Sequence, residues 1–482
     1  MNLAEYCTHD ATSLAGLVKA GEVSAVELAQ LAATAVAKLD PELNAVIEVF
    51  ADRVDGLDES CVPNGPFRGV PFFLKDLGPR QQGRKQEGGS RLLQGFTAPY
   101  SSFMTLQMER AGLNIIGRTT CPEFGVTGTT ESILTGVTRN PWDTRKIAGG
   151  SSGGSAAITA AGVVPMAHAN DGGGSTRIPA SVCGNVGMKH SRGRISYMPE
   201  GCDLSFPLFS DGVNARSVRD MAGFLDAVMG PAPGEPIPWA RPERPYAEEV
   251  DREPGRLRIA MCSERWGPFP IPDHVGQQIQ SVARRLEGAG HSVTEAIPEF
   301  AYKQYLEAFK RLWVIDIAAM LESEAAYMGR EISRDTVEPI TLKLYEAGSR
   351  ARAAERLGIA EFFSHMGRQL GSFFESHDLL LTPVMLDDTP ELGSPLNLTR
   401  ERLSLDEWFD HLLGLIPITP VCNFTGTPAV SLPLCEDASG MPMGAHFMAP
   451  MGREDRLFNI AGQLEKICPW VGKKPPLHAG SV

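Results

Sequence analysis

The stretch that decides the fold is Gly149–Ser181, GGSSGGSAAITAAGVVPMAHANDGGGSTRIPAS. It contains two clusters in which glycines flank serine, GGSSGG and DGGGS, and a run of small apolar residues joins them. Each glycine inside a helix or strand lowers stability by about 0.5–1 kcal/mol relative to alanine. So many glycines therefore indicate that these positions require a backbone without side chains. A flexible Gly/Ser linker would not carry the apolar residues that fill and flank the stretch. The pattern therefore favours a packed and functional segment.

The first cluster formally matches the G-x-S-x-G nucleophile elbow, with Ser152 at its centre. An elbow follows a buried strand, whereas the residues before this cluster, NPWDTRKIA, form a polar turn. The second cluster, DGGGS, offers consecutive backbone N–H groups that a substrate carbonyl can approach. Such an oxyanion hole contributes about 10²–10³ in rate for each donor. The expected donors are Gly172, Gly173, Gly174 and Ser175.

Ser175 ends this array and is the expected nucleophile, but a serine hydroxyl needs a base near neutral pH. His168, in a run of small residues, is better explained as a packed, hydrogen-bonded histidine. Lys75 ends the apolar run of GVPFFLKDL, where burial would shift its pKa from ~10.4 towards the neutral form that a base requires. Considered alone, Lys75 is better explained as a surface lysine beside Asp76. Both interpretations stay open on residues alone.

Composition restricts the class of protein. The chain has 482 residues, 43% of them hydrophobic, and a net charge of −13, which disfavours nucleic-acid and anionic-membrane partners. No segment has the ~20 apolar residues of a membrane helix, and the start of the chain lacks a secretory pattern. Nine scattered cysteines without C-x-x-C spacing predict reduced thiols and a cytoplasmic location. We expect no metal and no organic cofactor.

Strand and helix patterns alternate along the chain, which predicts an α/β architecture with helices on both faces of a sheet. The strand candidates are FRGVPFFLKDL with its apolar run Val70–Leu74, a short strand through Ile115 and Ile116, RLRIAMC, HSVTEAI, HDLLLTPV and PAVSLPL. We expect one domain over 1–482, divided into five parts. These are an N-terminal helical segment (1–60), a catalytic core (61–230), a Pro-rich surface connection (231–256), a largely helical substrate-side region (257–376), and C-terminal strands with a closing helix (377–482).

Three segments together, GVPFFLKDL, GGSSGGSAA and NDGGGSTRIPAS, resemble the signature of the amidase signature family. Further segments, including LNIIGRTTCPEFG and NFTGTPAVSLPL, follow in the family's order, so the resemblance covers nearly the whole chain. It implies α/β/α layers around one large mixed, mostly parallel twisted sheet. It also implies a Ser-cisSer-Lys triad of nucleophile Ser175, bridging Ser151, 24 residues earlier, and Lys75.

The resemblance implies hydrolysis of a non-peptide carboxamide, linear, cyclic or aryl, or of a carbamate, through an acyl-enzyme. The sequence is most similar to the branch of bacterial amidases that includes 6-aminohexanoate cyclic dimer hydrolase. Asn170-Asp171-Gly172 stands where many members carry Thr-Asp-Thr, and His190 replaces a proline. Asp171 and Arg177 are expected to support the site. The alternatives are a glutaminase-type amidotransferase subunit and an inactive amidase-fold binding protein.

The substrate is expected to be a small-molecule amide, and a homodimer is left open. We expect the pocket to be walled by apolar residues of Gly128–Gly136, by the helices around Trp313, and by Leu412–Ile418. The residues predicted to contact substrate are Thr130, Ile133 and Trp313.

Overall fold

The computed structural model describes residues 1–201, 208–235 and 241–481. In this part the strands are β1 (Val46–Val49), β2 (Pro71–Lys75), β3 (Asn114–Thr119), β4 (Glu131–Ser132), β5 (Gly136–Val137), β6 (Met166–Asn170), β7 (Val186–Lys189), β8 (Asp211–Ala215), β9 (Arg258–Met261), β10 (Arg265–Trp266), β11 (Phe269–Pro270), β12 (Ser292–Glu295), β13 (Leu379–Pro383), β14 (Ala429–Glu436) and β15 (Pro442–Met448).

The α-helices of the described residues are α1 (Leu3–Tyr6), α2 (Ala11–Ala20), α3 (Ala25–Leu43), α4 (Ala51–Val54), α5 (Phe103–Arg110), α6 (Gly153–Ala160), α7 (Arg177–Cys183), α8 (Val218–Val228), α9 (Tyr246–Glu249), α10 (Asp273–Gly288), α11 (Tyr302–Met328), α12 (Pro339–Gly348), α13 (Ala353–Ser376), α14 (Leu405–Leu415), α15 (Thr419–Thr425) and α16 (Glu454–Ile467). None of them combines the length and apolar character that crossing a membrane requires.

An eight-stranded mixed sheet forms the centre, in the order β12-β9-β13-β15-β14-β7-β8-β6. Helices α6 and α7, with every residue buried, pack against it, which explains the small side chains between the two serine clusters. Helices α8, α10 and α16 also pack on this sheet. The predicted α/β fold is thereby confirmed, and so is the β9-α10-β12 unit with its parallel strand pair.

The expectation of a mostly parallel sheet is wrong. Of the seven neighbouring pairs in the large sheet, only β12–β9 and β9–β13 are parallel, and the other five are antiparallel. Strands joined through a helix, such as β6 and β7, do run in the same direction, but β8 is inserted between them. The alternation of strands and helices therefore predicted correctly that two strands joined by a helix run in the same direction. It predicted incorrectly that such strands are neighbours in the sheet.

The predicted strand GVPFFLKDL lies outside the large sheet. It forms β2, buried throughout, which pairs in parallel with β3 in a three-stranded sheet of order β1-β3-β2. The backbone N–H of Lys75 donates to Nδ1 of His168 on β6, 3.3 Å away. The end of β2 is therefore tied to the edge strand of the large sheet.

Eight of the nine cysteines lie in the described part, and all eight are free thiols. Cys202, and residues 236–240 of the predicted Pro-rich connection, lie outside the described residues.

Candidate active site

The two serine clusters lie next to each other in the structure, the first before α6 and the second between β6 and α7. The first, Gly149–Gly154, leads into α6, and its Gly150–Ser151 peptide is cis. A Cβ on Gly150 would lie 2.5 Å from the backbone nitrogen of Thr129, so only glycine fits there. The N–H of Ser152 donates to the carbonyl of Ser175 at 3.2 Å, which joins the two clusters directly.

Lys75 lies at the end of β2 and its side chain reaches the first cluster. It is 1% exposed. Its Nζ is 2.7 Å from Ser151 Oγ, 3.0 Å from Ser152 Oγ and 2.5 Å from Asn170 Oδ1. All three partners are neutral oxygen atoms, and no carboxylate of the described residues forms an ion pair with Nζ. The interpretation of Lys75 as a surface lysine beside Asp76 is therefore wrong.

This environment changes the protonation of Lys75. Burial lowers the pKa of Lys75 to about 8, against the opposing influence of Cys121, Asp211 and Asp171. Asp76 does not hold Lys75 in the charged form, because its carboxylate pairs with Arg118 at 2.5 Å. The lowered pKa of Lys75 favours the neutral form, which a proton acceptor requires.

Ser175 ends a segment that we call the glycine loop (Asp171–Ser175), which connects β6 to α7. The Ser175 side chain is 8% exposed, and its hydroxyl has no hydrogen-bond partner among the described residues. The structure brings it beside Ser152 through the backbone, whereas Ser151 and Lys75 are joined through their side chains. Among the described residues, nothing therefore holds the Ser175 hydroxyl in a hydrogen bond that a substrate would have to displace.

The glycine loop departs from one prediction. The N–H of Gly174 donates to Asp171 Oδ1 at 2.7 Å, so this amide is already used and cannot serve as an oxyanion donor. Gly174 has a φ of +125°, a conformation that favours glycine. The amide N–H groups of Gly172, Gly173 and Ser175 donate no such internal bond in the described part of the chain. Three of the four predicted donors therefore stay available.

Asp171 and Arg177 form a fully buried ion pair at the base of the glycine loop. The guanidinium binds the carboxylate through two parallel bonds, Nε at 2.9 Å and Nη2 at 2.8 Å. Burial alone would raise the pKa of Asp171, but the charge and hydrogen bonds of Arg177 outweigh it and hold that pKa well below its usual range. Arg177 also donates to Asn423 Oδ1 at 2.9 Å and contacts His446 Nε2 at 2.9 Å.

Of the three predicted substrate contacts, only Trp313 lies at the site. Its indole lines a small cavity of about 20 Å³ together with Gly173 and Ser175. Trp313 stacks on Phe309 with ring centres 5.4 Å apart. From the predicted pocket walls, Gly128, Leu412 and Ile416 line the same cavity.

The other two predicted contacts, Thr130 and Ile133, line neither the small cavity nor the larger cleft. The Thr130 hydroxyl donates to the Gly149 carbonyl at 2.8 Å and accepts from the Gly153 amide at 3.1 Å, so it holds the first serine cluster in place. The Ile133 side chain is 47% exposed. The short β4–β5 hairpin turns this segment outward after Ser132.

A larger cleft of about 470 Å³ is lined by Asn170, the residue directly before the glycine loop, and the sequence did not predict it. Its floor includes Asn170, and the ring of Phe209 on its wall packs directly on Gly172. Apolar side chains dominate its interior, and ion pairs Arg356–Asp316 and Arg80–Glu324 lie on it. Most of the lining residues come from the segment after β2, from 196–201 and 208–211, and from α11, which are far apart in sequence.

Three side chains with metal-ligating atoms converge elsewhere, at His274, Asp387 and Asp388. His274 Nε2 lies 3.1 Å from Asp388 Oδ1, and both side chains are more than a third exposed. None of the three lines the cleft or the small cavity. This group is independent of the serine site.

Comparison with known proteins gives a consistent result. The amidase family model matches residues 27–458. A 6-aminohexanoate-cyclic-dimer hydrolase of Paenarthrobacter ureafaciens is 35% identical over 97% of this chain and 96% of its own length. A solved structure of 6-aminohexanoate cyclic dimer hydrolase superimposes with a TM-score of 0.92 at 34% identity, covering 98% of this chain and 99% of that one.

A bacterial aryl acylamidase of the amidase signature family superimposes with a TM-score of 0.86 at 25% identity, over 96% of each chain. The family match spans most of the chain and the relatives align nearly end to end, so the predicted family is confirmed. The chain belongs to the amidase signature family of enzymes, which hydrolyse amide bonds.

Proposed function

We propose that Ser175 attacks the carbonyl carbon of a small-molecule amide, with Ser151 and Lys75 as a proton relay. The observation that carries this proposal is the 2.7 Å hydrogen bond between Lys75 Nζ and Ser151 Oγ. It joins a buried amine without a carboxylate partner to a serine next to the glycine loop. An amine in this setting can be neutral and can accept a proton, which Arg177 nearby cannot.

In the proposed first half-reaction, Ser175 Oγ bonds to the carbonyl carbon and passes its proton to Ser151, whose own proton goes to neutral Lys75. The carbonyl electron pair moves to oxygen and gives an oxyanion. When that pair returns, the carbon–nitrogen bond breaks, and Ser151 delivers a proton to the leaving amine while Lys75 returns one to Ser151. The product is an ester on Ser175.

In the second half-reaction, water replaces the amine. It gives its proton to the relay and adds to the ester carbonyl, and Ser175 leaves with the proton returned by Ser151. The oxyanion of both halves is stabilised by the free amides of Gly172, Gly173 and Ser175. These steps need neither a metal nor an organic cofactor.

The substrate proposed is a non-peptide amide of small-molecule size, linear, cyclic or aryl, or a carbamate. A cleft of about 470 Å³ falls within the ~300–1,000 Å³ usual for small-molecule sites. Relatives named for a cyclic dimer amide and for aryl acylamides agree with this class. We place the body of the substrate in the cleft and its carbonyl over the glycine loop, where Phe209 and Gly172 meet.

The test is the purified chain, without any partner protein, on a panel of linear amides, anilides, cyclic amides and carbamates. Ser175→Ala should lower kcat on the best substrate by at least about 10³-fold, since removal of a serine nucleophile costs more than that in a well-studied protease. Thermal unfolding should not change, because the hydroxyl has no partner. Ser60→Ala, at an exposed serine, is the control.

Amine release with a burst equal to the enzyme concentration would support an acyl-enzyme. Retention of more than a tenth of wild-type kcat by Ser175→Ala would rule out this nucleophile. Hydrolysis that requires a second protein would favour the amidotransferase-subunit alternative instead.

A further inference from the structure

The amine of Lys75 has three hydrogen-bond partners, and the proposed relay uses only Ser151. The other two are Ser152 Oγ at 3.0 Å and Asn170 Oδ1 at 2.5 Å. A charged lysine has three N–H donors and no acceptor, whereas its neutral form has two donors and one lone pair. Which partner meets the lone pair decides whether Lys75 can act as a base.

Asn170 can only accept from Lys75. Its amide nitrogen Nδ2 donates to the carbonyl of Leu77 at 3.0 Å, so the oxygen of the same amide faces Nζ. Asn170 is 5% exposed and ends β6, directly before the glycine loop. The side chain therefore cannot turn its donor group towards the lysine without losing the bond to Leu77.

Ser152 is oriented in the same way. Its hydroxyl donates to the backbone carbonyl of Asn170 at 3.1 Å, which leaves an oxygen lone pair for Lys75. The Asn170 N–H approaches the same hydroxyl oxygen at 3.3 Å. Both partners other than Ser151 are thus acceptors whose proton or amide group is held elsewhere.

We propose that Asn170 and Ser152 are positioning residues that bind the two N–H groups of neutral Lys75 and turn its lone pair towards the Ser151 hydroxyl. The inference rests on the proposed serine relay. When the Ser151 proton moves to Nζ, the O–H bond breaks, an N–H bond forms, and the charged amine then donates to all three oxygens. The same two acceptors stabilise the charged product without rearrangement.

The charged and titratable groups around Lys75 are Cys121, Asp171, Asp211, Asp76 and His168. Asp171 is paired with Arg177, and Asp76 with Arg118. Because His168 Nδ1 accepts from the Lys75 backbone, its Nε2 carries the proton and donates to Asp211 at 3.1 Å. None of these groups hydrogen-bonds Nζ in the described part, so a carboxylate at position 170 would be the first to do so.

The experiment measures kcat/KM against pH for Asn170→Asp and Asn170→Leu on one good amide substrate. A carboxylate within hydrogen-bond distance shifts the pKa of a neighbouring base by about 1–3. Asn170→Asp should therefore move the acidic limb upward by at least about one pH unit, with a plateau close to wild type. Asn170→Leu should lower the plateau about tenfold or more without an upward shift, because one N–H loses its acceptor.

Both variants lose the bond to Leu77, so that loss cannot explain a difference between them. Asn170→Asp keeps an oxygen acceptor for Lys75 and adds a charge, whereas Asn170→Leu removes the acceptor. Gln94→Glu, the same kind of change at an exposed residue, should leave the profile at its wild-type position. Wild-type limbs and plateaus in both Asn170 variants would overturn the inference, and so would equal shifts in both. If Asn170→Asp does not fold, Ser152→Ala replaces it, and a wild-type plateau there would also overturn the inference.

Failure of the proposed function has a different signature. If Ser175→Ala stays active, the relay itself is wrong, whatever the Asn170 variants do. If Ser175→Ala is inactive and the Asn170 variants behave as wild type, only the positioning role is wrong.

Discussion

Two buried cations flank the glycine loop, and they differ in their partners. Arg177 is fully buried and binds the equally buried carboxylate of Asp171 through two bonds. Lys75 is just as buried, but its amine meets only hydroxyl and amide oxygens. Arg177 keeps its proton throughout this pH range and Asp171 balances its charge, whereas burial lowers the pKa of Lys75 to about 8. A buried cation is structural when it is a guanidinium balanced by a carboxylate, and it can exchange protons when it is an amine whose partners are neutral.

A second buried lysine, Lys189, shows that burial away from carboxylates is not enough to make a lysine a base. It is buried at the end of β7, and burial lowers its pKa to about 7. It donates to the carbonyls of His190 at 2.8 Å and Thr427 at 3.0 Å, and neither of these has a proton to give. A buried lysine without a carboxylate is therefore not yet a base, because a hydroxyl donor must also face it, as Ser151 faces Lys75.

The largest effect is expected from substitution of Lys75, which should lower the rate of hydrolysis. Lys75→Ala should lower kcat by about 10²–10⁴-fold, the usual contribution of a general base. Lys75→Arg should not restore activity, because a guanidinium does not lose its proton in this range. In the wild type, kcat/KM should rise as pH passes through about 8, since the neutral, active form of Lys75 grows with pH. Steady-state rates between pH 5 and 10 measure all three.

Lys189→Met is the matched control, since it removes a buried lysine that faces only carbonyl groups. Its pH profile should keep the wild-type midpoint even if the protein becomes less stable. Near-normal activity of Lys75→Arg would mean that Lys75 acts only as a charge, and His168 would become the next candidate base.

A smaller effect, on stability, is expected at the other cation. Asp171→Ala leaves Arg177 charged and unpaired in the core, which should lower the free energy of unfolding by about 3–5 kcal/mol. The double variant Asp171→Leu with Arg177→Met removes both charges and should be less destabilised than the single variant. Urea denaturation followed by circular dichroism measures both. A single variant as stable as the wild type would mean that the pair is not structural.

The smallest effect is expected at Ile133, the predicted substrate contact that lies at the surface. Ile133→Ser should change the free energy of unfolding by no more than about 0.5 kcal/mol, as is usual for exposed positions. Its kcat/KM should stay within twofold of the wild type on every substrate that the chain accepts. A fall in kcat/KM for some substrates and not for others would show that Ile133 does contact substrate.

The sequence predicted the parts of the site that have a local signal. The apolar run that ends in lysine left Lys75 open between the surface and the core, and the resemblance to the amidase signature decided for the buried base. The glycine clusters predicted where the backbone itself takes part in the site. It missed the role of Asn170, whose orientation depends on the Leu77 carbonyl 93 residues away. The one signal available was the departure from Thr-Asp-Thr at this position.

Other errors also come from contacts between distant segments. Gly174 cannot be told from Gly172 and Gly173 by residue type, and only the folded loop shows that its amide donates to Asp171. The β4–β5 hairpin decides the outward direction of Ile133, and two-residue strands leave almost no periodic pattern. The strand β15 was not predicted, and its insertion between β13 and β14 helps make the sheet largely antiparallel.

The anchoring of the glycine loop has a consequence for the order in which the protein is made. Asp171 and Arg177 are translated early, but Asn423 and His446, which hold them, come from the last quarter of the chain. His446 is itself held by Thr382 at 3.1 Å across the β13–β15 pair. A nascent chain that has not yet left the ribosome through β15 lacks these anchors. We therefore expect hydrolytic competence only after β15 has been made, and we expect a product that stops before β15 to be inert.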